Sequence, residues 1–97
     1  MEKVAELNKI KDKLCVSVKG KELALFKIGN KIYCIDNECT HAGGPLCEGE
    51  LEGKIVTCPW HGAKFDVTNG NVISGPAKKN VKSYKVFVKG KDIFVEI

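Results

Sequence analysis

Two cysteine–histidine pairs restrict the fold and the chemistry of this chain more than any other feature. The sequence has only two histidines, and each follows a cysteine closely, in the segments Cys39–His41 and Cys58–His61. Thiolates and imidazoles are ligands for zinc and for iron–sulfur clusters, and cysteines near histidines in a reducing compartment indicate metal binding. The fold is therefore expected to bring the two mixed pairs to one place.

Apolar residues outside these two segments follow the period of two that is typical of β-strands. Residues 14–35 alternate in this way, and turn signals interrupt them at 19–20 and 29–30. The core face of the third strand in this segment is either Ile32 with Cys34 or Tyr33 with Ile35. The pattern predicts a meander of antiparallel strands.

The C-terminal residues repeat the pattern and predict a hairpin, with Val86 and Val88 facing Ile93 and Val95. No segment has ten residues of helical periodicity, although a short helical turn around residues 3–7 stays open. The predicted fold class is therefore all-β.

A loop-rich insert separates the two strand regions. From about residue 36 to residue 81, Gly, Pro and Asn divide the chain into short strands, and both Cys–His pairs lie in this part. The length of 97 residues and the hydrophobic content of 43% are those of one globular domain with a modest core. We expect a single domain over residues 1–97, with the insert presenting the site.

Charge and hydropathy argue against a nucleic-acid or membrane protein. The formal charge is +4, but the Lys residues are scattered and the chain contains no Arg, whereas nucleic-acid binders concentrate basic residues on one face. Residues 1–14 alternate charged and apolar side chains without a signal-peptide core, and no run of eighteen apolar residues occurs. The expected location is the cytoplasm.

The ligand types leave two sites open. Two thiolates and two imidazoles can form a tetrahedral zinc site. They can also bind a [2Fe-2S] cluster, with the thiolates on one iron and the imidazoles on the other. Each pair here mixes the two ligand types, as Cys-x-His and then Cys-x-x-His, and this mixed order favours the cluster.

The pattern resembles the Rieske family, whose signature is Cys-x-His, a gap near sixteen residues and then Cys-x-x-His. Cys39, His41, Cys58 and His61 match that signature, and residues 58–77 are similar to the second cluster loop and the following segment of Rieske-type ferredoxins. The resemblance implies a small antiparallel β sandwich with an inserted cluster-binding subdomain. It also implies that the four matching residues bind a [2Fe-2S] cluster and that one ring nitrogen of each histidine faces solvent or a partner.

The same resemblance implies a low reduction potential. High-potential members carry a disulfide between the two loops and hydroxyl groups that bond the cluster sulfurs. The corresponding positions here are Gly44 and Trp60 for the cysteines, Ala63 for Ser and Phe65 for Tyr. Fewer donors stabilise added charge less, so we expect a potential near the bottom of the Rieske range, at about −150 mV.

The remaining cysteines and the residues flanking the ligands are harder to interpret. Cys15 and Cys34 lie in strand patterns and are expected to be small buried residues. Cys47 is expected to be free, since Trp60 occupies the position of its family bridge partner. Trp60 either packs in the core or presents an aromatic surface to a docking protein. Acidic residues around the first pair form either a solvated rim or a docking patch, namely Asp36, Glu38, Glu48, Glu50 and Glu52.

The resemblance implies a soluble, monomeric one-electron carrier, not an enzyme. It would take electrons from an NAD(P)H-dependent flavoprotein reductase and pass them to a terminal oxygenase or a similar acceptor. Both histidines are committed to iron, which leaves no evident catalytic base. The alternatives are a small electron-entry subunit of a larger oxidoreductase, such as a nitrite reductase or an oxygenase, and a zinc-stabilised interaction module.

Overall fold

The protein is described here from a computed structural model, which covers residues 1–40 and 43–97. The strands are β1 (Glu2–Glu6), β2 (Lys13–Val18), β3 (Lys21–Ile28), β4 (Lys31–Asp36), β5 (Glu50–Glu52), β6 (Ile55–Thr57), β7 (Lys64–Asp66), β8 (Val72–Ser74), β9 (Ser83–Tyr84), β10 (Val86–Lys89) and β11 (Asp92–Val95). The described residues also form short 3-10 helices at Leu7–Lys9 and Leu46–Glu48. The fold is all-β, as predicted, and the strands pair antiparallel. In the described part of the chain, no helix is long and apolar enough to cross a membrane.

In residues 1–40 and 43–97, the strands form three sheets. The inner sheet has the strand order β2-β3-β4-β9, the terminal sheet β1-β11-β10 and the insert sheet β5-β6-β7-β8. The predicted turns connect the long strands of the inner sheet: Lys19 and Gly20 both have positive φ, at 50° and 77°, as a type I′ hairpin turn requires. The meander therefore follows directly from turn chemistry and alternation.

Both faces of β3 are buried, which places the inner sheet between two hydrophobic clusters. Leu23 and Leu25 pack with Ile93 of the terminal sheet, whereas Ala24 and Phe26 pack against the insert. All of these side chains have essentially no exposed surface. The inner and terminal sheets form a β sandwich, and the insert covers the other face of the inner sheet.

The same arrangement explains why sequence alone leaves the core face of β4 open. Ile32 and Cys34 pack in the cluster shared with the terminal sheet, and Tyr33 and Ile35 pack in the cluster shared with the insert. The two alternatives are both correct because the strand is covered on both sides. An alternating pattern marks only one face when the other is solvated.

The two ends of the chain meet in the terminal sheet. The predicted hairpin is confirmed, with Val86 opposite Val95 and Val88 opposite Ile93. The helical turn left open at residues 3–7 is wrong, because Glu2–Glu6 forms β1 and pairs with β11. A 3-10 turn follows at Leu7–Lys9. The partner strand lies at the far end of the sequence, so no local signal predicts the pairing.

The structure corrects two of the cysteine expectations. Cys47 is not free but forms a disulfide with Cys15, with a Cα–Cα distance of 5.2 Å. Cys15 is exposed rather than buried. It stands opposite Ala24 in the β2–β3 register, and Ala24 packs in the same cluster as Cys47, so the strand presents it to the 3-10 helix. Cys34 is buried, as predicted, and burial together with Asp36 raises its pKa to about 12.

Candidate functional site

The segment that carries the first Cys–His pair forms a closed loop between β4 and the 3-10 helix Leu46–Glu48. The backbone N–H of Cys39 donates to the carbonyl of Gly44 at 2.9 Å, and the N–H of Gly43 donates to the carbonyl of Cys39 at 2.8 Å. A bridge between Glu38 and Pro45 closes its base. We call residues 39–44 the first loop.

The second Cys–His pair lies in a loop with the same hydrogen bonds, between β6 and β7. The N–H of Cys58 donates to the carbonyl of Ala63 at 2.7 Å, and the N–H of Gly62 donates to the carbonyl of Cys58 at 3.2 Å. We call residues 58–63 the second loop. Gly43 and Gly62 occupy equivalent positions, and both have φ of +76°, a conformation that glycine adopts without strain.

The two matched loops bring the two cysteines together. Cys39 and Cys58 are each only 3% exposed, and neither is in a disulfide. The two thiols lie next to each other. Burial raises the pKa of the Cys58 thiol, the backbone N–H of Trp60 acts in the opposite direction, and the Cys39 thiol raises it further. A pair of buried, adjacent thiols is a ligand set for a soft metal centre.

Gly44 makes this close approach of the loops possible. A Cβ atom at position 44 would lie 2.6 Å from Sγ of Cys58 and 3.1 Å from Cγ of Trp60. Gly44 and Trp60 are also the positions of the absent family disulfide, and the structure places them side by side. The Trp60 side chain nevertheless remains 52% exposed, which argues against core packing and leaves its aromatic surface available to a partner.

Of the two histidines, only His61 lies among the described residues. His61 is an exposed residue of the second loop, whereas His41 lies outside the described residues. Within residues 1–40 and 43–97, no three His, Cys, Asp or Glu side chains converge on a site for a single metal ion.

A third segment lies beside the first loop. Gly75 and Pro76 are joined by a cis peptide bond, and Pro76, Lys78 and Lys79 border a surface cavity together with Thr40. The Thr40 hydroxyl donates to the carbonyl of Lys79 at 2.6 Å. Residues 75–79, which we call the third loop, therefore lie next to the first loop. Sequence reasoning missed the role of Thr40, because a Thr inside a Cys–His pair carries no signal of its own.

The residues that replace the family's hydroxyl donors are apolar and fully buried. Ala63 closes the second loop and Phe65 follows in β7, and neither has exposed surface. Both belong to the hydrophobic cluster that contains Cys39 and Cys58. The surroundings of the thiols are therefore poor in side-chain donors, as the sequence predicts.

Charges are distributed unevenly around the first loop. Glu22, Asp36 and Glu38 border a cavity of about 610 Å³ on one side of Cys39 and Thr40. On the other side, Lys78 and Lys79 are exposed beside Thr40. Asp36 is also structural, because it accepts a hydrogen bond from the Tyr84 hydroxyl at 2.6 Å. Of the acidic rim expected from the sequence, Asp36 and Glu38 border the cavity beside Cys39, and Lys21 borders it as well.

Comparison with known proteins decides between the two metal sites. Residues 1–85 match the family described as Rieske [2Fe-2S] domain. The chain belongs to the Rieske family. The ferredoxin component of the naphthalene 1,2-dioxygenase system of Pseudomonas aeruginosa is 40% identical to this Rieske chain over 86 residues, which are 89% of this chain and 83% of that protein.

Solved Rieske structures have the same fold. The ferredoxin of carbazole 1,9a-dioxygenase from Nocardioides aromaticivorans IC177 superposes with a TM-score of 0.92 at 32% identity, over 97% of this chain and 94% of that one. A chain from the complex of reduced oxygenase and oxidised ferredoxin in carbazole 1,9a-dioxygenase gives a TM-score of 0.91 at 30% identity, over 98% and 100% of the two chains.

The cofactor of this Rieske protein is a [2Fe-2S] cluster, and the donors in the two loops suit it. The site has two adjacent buried thiols and a positive-φ glycine in each loop. It also has Gly44 at a position where a Cβ atom would clash with Cys58, so the loops fit closely around the thiols. The zinc module is thereby set aside. The protein is an electron carrier and not itself an enzyme, like the ferredoxin components that it resembles.

Proposed function

We propose that Cys39 and Cys58 bind one iron of the [2Fe-2S] cluster and that His41 and His61 bind the other. The contact between the Cys39 and Cys58 thiols across two matched loops carries this assignment. The exposure of His61 supports it as well, because a ligand imidazole at the surface shortens the path of an electron to a partner.

The side chains around the cluster define its properties. The bound cluster supplies one-electron chemistry. Ala63 and Phe65 exclude water from the surroundings of the cluster and offer no hydroxyl to its sulfurs. The reduction potential is therefore low, at about −150 mV. The ring nitrogen of His61 that does not bind iron is proposed to face solvent or a partner, since His61 lies at the surface of the second loop.

The protein accepts electrons from an NAD(P)H-dependent flavoprotein reductase and delivers them to a terminal oxygenase. The relatives support the oxygenase as acceptor, since their names place them in dioxygenase systems and one solved complex pairs oxygenase with ferredoxin. The reductase is proposed from the family resemblance alone. The protein is proposed to act as a monomer in the cytoplasm, without binding nucleic acid or membranes.

The surface around the second and third loops is the proposed docking face, defined by Trp60, Lys78 and Lys79. Trp60 is half exposed next to the cluster loops. Large aromatic side chains that remain exposed are typical anchors of protein interfaces. The two lysines on the same end suit a partner surface that carries carboxylates.

Electron paramagnetic resonance of the dithionite-reduced protein tests the ligand set. The mixed ligation is expected to give a two-iron signal with an average g lowered by the imidazoles. His41→Cys and His61→Cys should each lower the potential or lose the cluster, whereas Trp60→Phe, between the second pair of ligands, should retain the signal. A colourless sample that contains zinc, or histidine variants with an unchanged spectrum, would refute the assignment.

Reduction by a flavoprotein reductase and oxidation by a dioxygenase oxygenase test the proposed route. Both steps should occur with the purified carrier, and Lys78→Glu with Lys79→Glu should slow the oxygenase step most at low salt. Lys91→Glu, in the terminal hairpin, is the matched control and should have little effect. Sedimentation should give a monomer; stable assembly with a larger oxidoreductase would support the subunit alternative instead.

A further inference from the structure

The disulfide between Cys15 and Cys47 has no part in the proposed electron transfer. Cys47 is 4% exposed and lies in the 3-10 helix that follows the first loop. Cys15 is exposed on β2, which is the edge strand of the inner sheet. The bond joins residues 32 positions apart and links the rim of the sandwich to the cluster-binding insert.

We propose that Cys15–Cys47 is a reversible thiol–disulfide site, opened by cellular thiols, that locks the first loop to β2. The first half of this proposal concerns the disulfide alone. The second half, an effect on cluster retention, rests on the proposed ligand set.

The exposure of the two sulfurs determines the course of the exchange. A thiolate reductant reaches the exposed Cys15 sulfur, forms a mixed disulfide there and releases Cys47 as a thiolate. A second thiol attacks the mixed disulfide and releases Cys15. Two reductant thiols become one disulfide, and the protein gains two electrons and two protons as two cysteine thiols.

The segment after the first loop depends for its position on β2 and on Asn37, two residues before the loop. The N–H groups of Leu46 and Cys47 donate to the backbone and side-chain oxygens of Asn37, each at 2.7 Å. The Lys13 ammonium of β2 donates to the carbonyl of Gly49. The disulfide is the covalent link that holds this segment to β2. Without it, only the hydrogen bonds remain, and the base of the first loop opens more often.

The second loop lacks such a dependence because paired strands flank it. The β6–β7 register places Thr57 opposite Lys64 and Val56 opposite Phe65, immediately beyond the two ends of the loop. Reduction is therefore expected to loosen the first loop and leave the second in place.

The cellular compartment gives the site its function. Disulfides in the cytosol of mesophiles are usually transient, catalytic or redox-sensing. In the proposed cytoplasmic location, the ratio of reduced to oxidised cellular thiols would determine whether this disulfide is open. An open disulfide would hold the first loop less firmly and shorten the lifetime of the cluster.

The test uses the full-length holoprotein in buffers of defined ratio of reduced glutathione to glutathione disulfide. Alkylation and mass spectrometry should find Cys15 and Cys47 blocked in oxidising buffer and both alkylated in a large excess of glutathione. Cys34 should stay unmodified under native conditions, because it is buried and burial raises its pKa to about 12. Alkylation of both cysteines without reductant, or opening only by excess dithiothreitol, would overturn the proposed site.

Cluster release to an iron chelator, followed by visible absorbance, tests the lock. Cluster release should be roughly tenfold faster after reduction. A change of this size corresponds to only part of the stabilisation that a disulfide across such a loop contributes. Cys15→Ser should release the cluster at the fast rate with or without glutathione, and Ser17→Ala, at an exposed position of the same strand, should behave as the wild type. Equal release rates in both redox states would refute the lock. If the wild type binds no cluster, the proposed function fails, but the alkylation result still decides the thiol–disulfide site.

Discussion

The first and second loops have the same backbone design but different supports. In each, the cysteine N–H donates to the carbonyl five residues on, and a positive-φ glycine four residues on donates back to the cysteine. The second loop is the tip of a hairpin between β6 and β7, whereas the first is held by Asn37, the Glu38–Pro45 bridge and the Cys15–Cys47 bond. Local spacing thus determines the loop geometry, and distant residues determine how firmly each loop is held.

The largest predicted effect comes from the equivalent positions Gly44 and Ala63. Gly44→Ala places a methyl group 2.6 Å from Sγ of Cys58, so the loops must separate. Cluster occupancy, measured by an assay of iron and sulfide, should fall roughly tenfold or more. Ala63→Gly removes a methyl group that already fits. It should keep the cluster and lower the free energy of unfolding by about 1 kcal/mol.

If both variants keep the cluster equally well, the proposed difference between the two loops is contradicted. Full occupancy in Gly44→Ala would mean that the first loop can move away from Cys58 without cost, and the close approach would then have no functional weight.

The next effect concerns the support of the first loop. Asn37→Ala leaves the N–H of Cys47 without its side-chain acceptor and should lower the free energy of unfolding by about 1–3 kcal/mol. Asn69→Ala is the matched control, because Asn69 accepts from Asn71 in an exposed turn and should cost about 0.5 kcal/mol. Urea unfolding of both variants checks the difference, and equal losses would show that the first loop needs no such support.

A smaller effect is expected on the reduction potential. Ala63→Ser returns a hydroxyl to the second loop, and a hydrogen bond of about 1 kcal/mol to the reduced cluster would raise a one-electron potential by about 40 mV. Ala24→Ser, at another fully buried position of the same hydrophobic cluster, is the control and should leave the potential unchanged. A redox titration followed by absorbance measures both. Similar shifts in the two variants would point to a general polarity effect instead of a bond to the cluster.

The smallest effect is the acid sensitivity of the second loop's support. Burial opposes ionisation of Asp66, at the end of β7, but hydrogen bonds from Thr68 and the Lys54 ammonium hold the pKa of its carboxyl below the usual value. A lowered folded pKa contributes stability above the unfolded pKa of about 3.9, and this contribution is lost as the pH falls through the folded pKa. Thermal unfolding at pH of about 6 down to about 3 should therefore show a steeper decline for the wild type than for Asp66→Asn. Parallel curves would assign the acid sensitivity to other groups.

Sequence reasoning was most successful where the signal is local. The turn at Lys19 and Gly20, the terminal hairpin and the buried Cys34 follow from alternation and turn chemistry. The two Cys–His segments predict the family for a similar reason, since their spacing is a short-range property of each loop.

The failures all involve partners that are distant in the sequence. The strand β1 pairs with β11 at the other end of the chain, and Cys15 meets Cys47 because a strand edge and a 3-10 helix pack together. Apolar alternation gives the face of a strand but not its neighbour. The family pattern places the bridge partner of Cys47 in the second loop, whereas the actual partner, Cys15, lies on β2.

The strand β3 has a consequence for how such a protein can diversify. Its successive side chains serve two separate hydrophobic clusters: Leu23 and Leu25 hold the terminal sheet, while Ala24 and Phe26 hold the insert. A substitution at one register position therefore disturbs one cluster and spares the other. The redox end can accumulate changes that retune it for a new partner while the opposite half of the molecule stays the same.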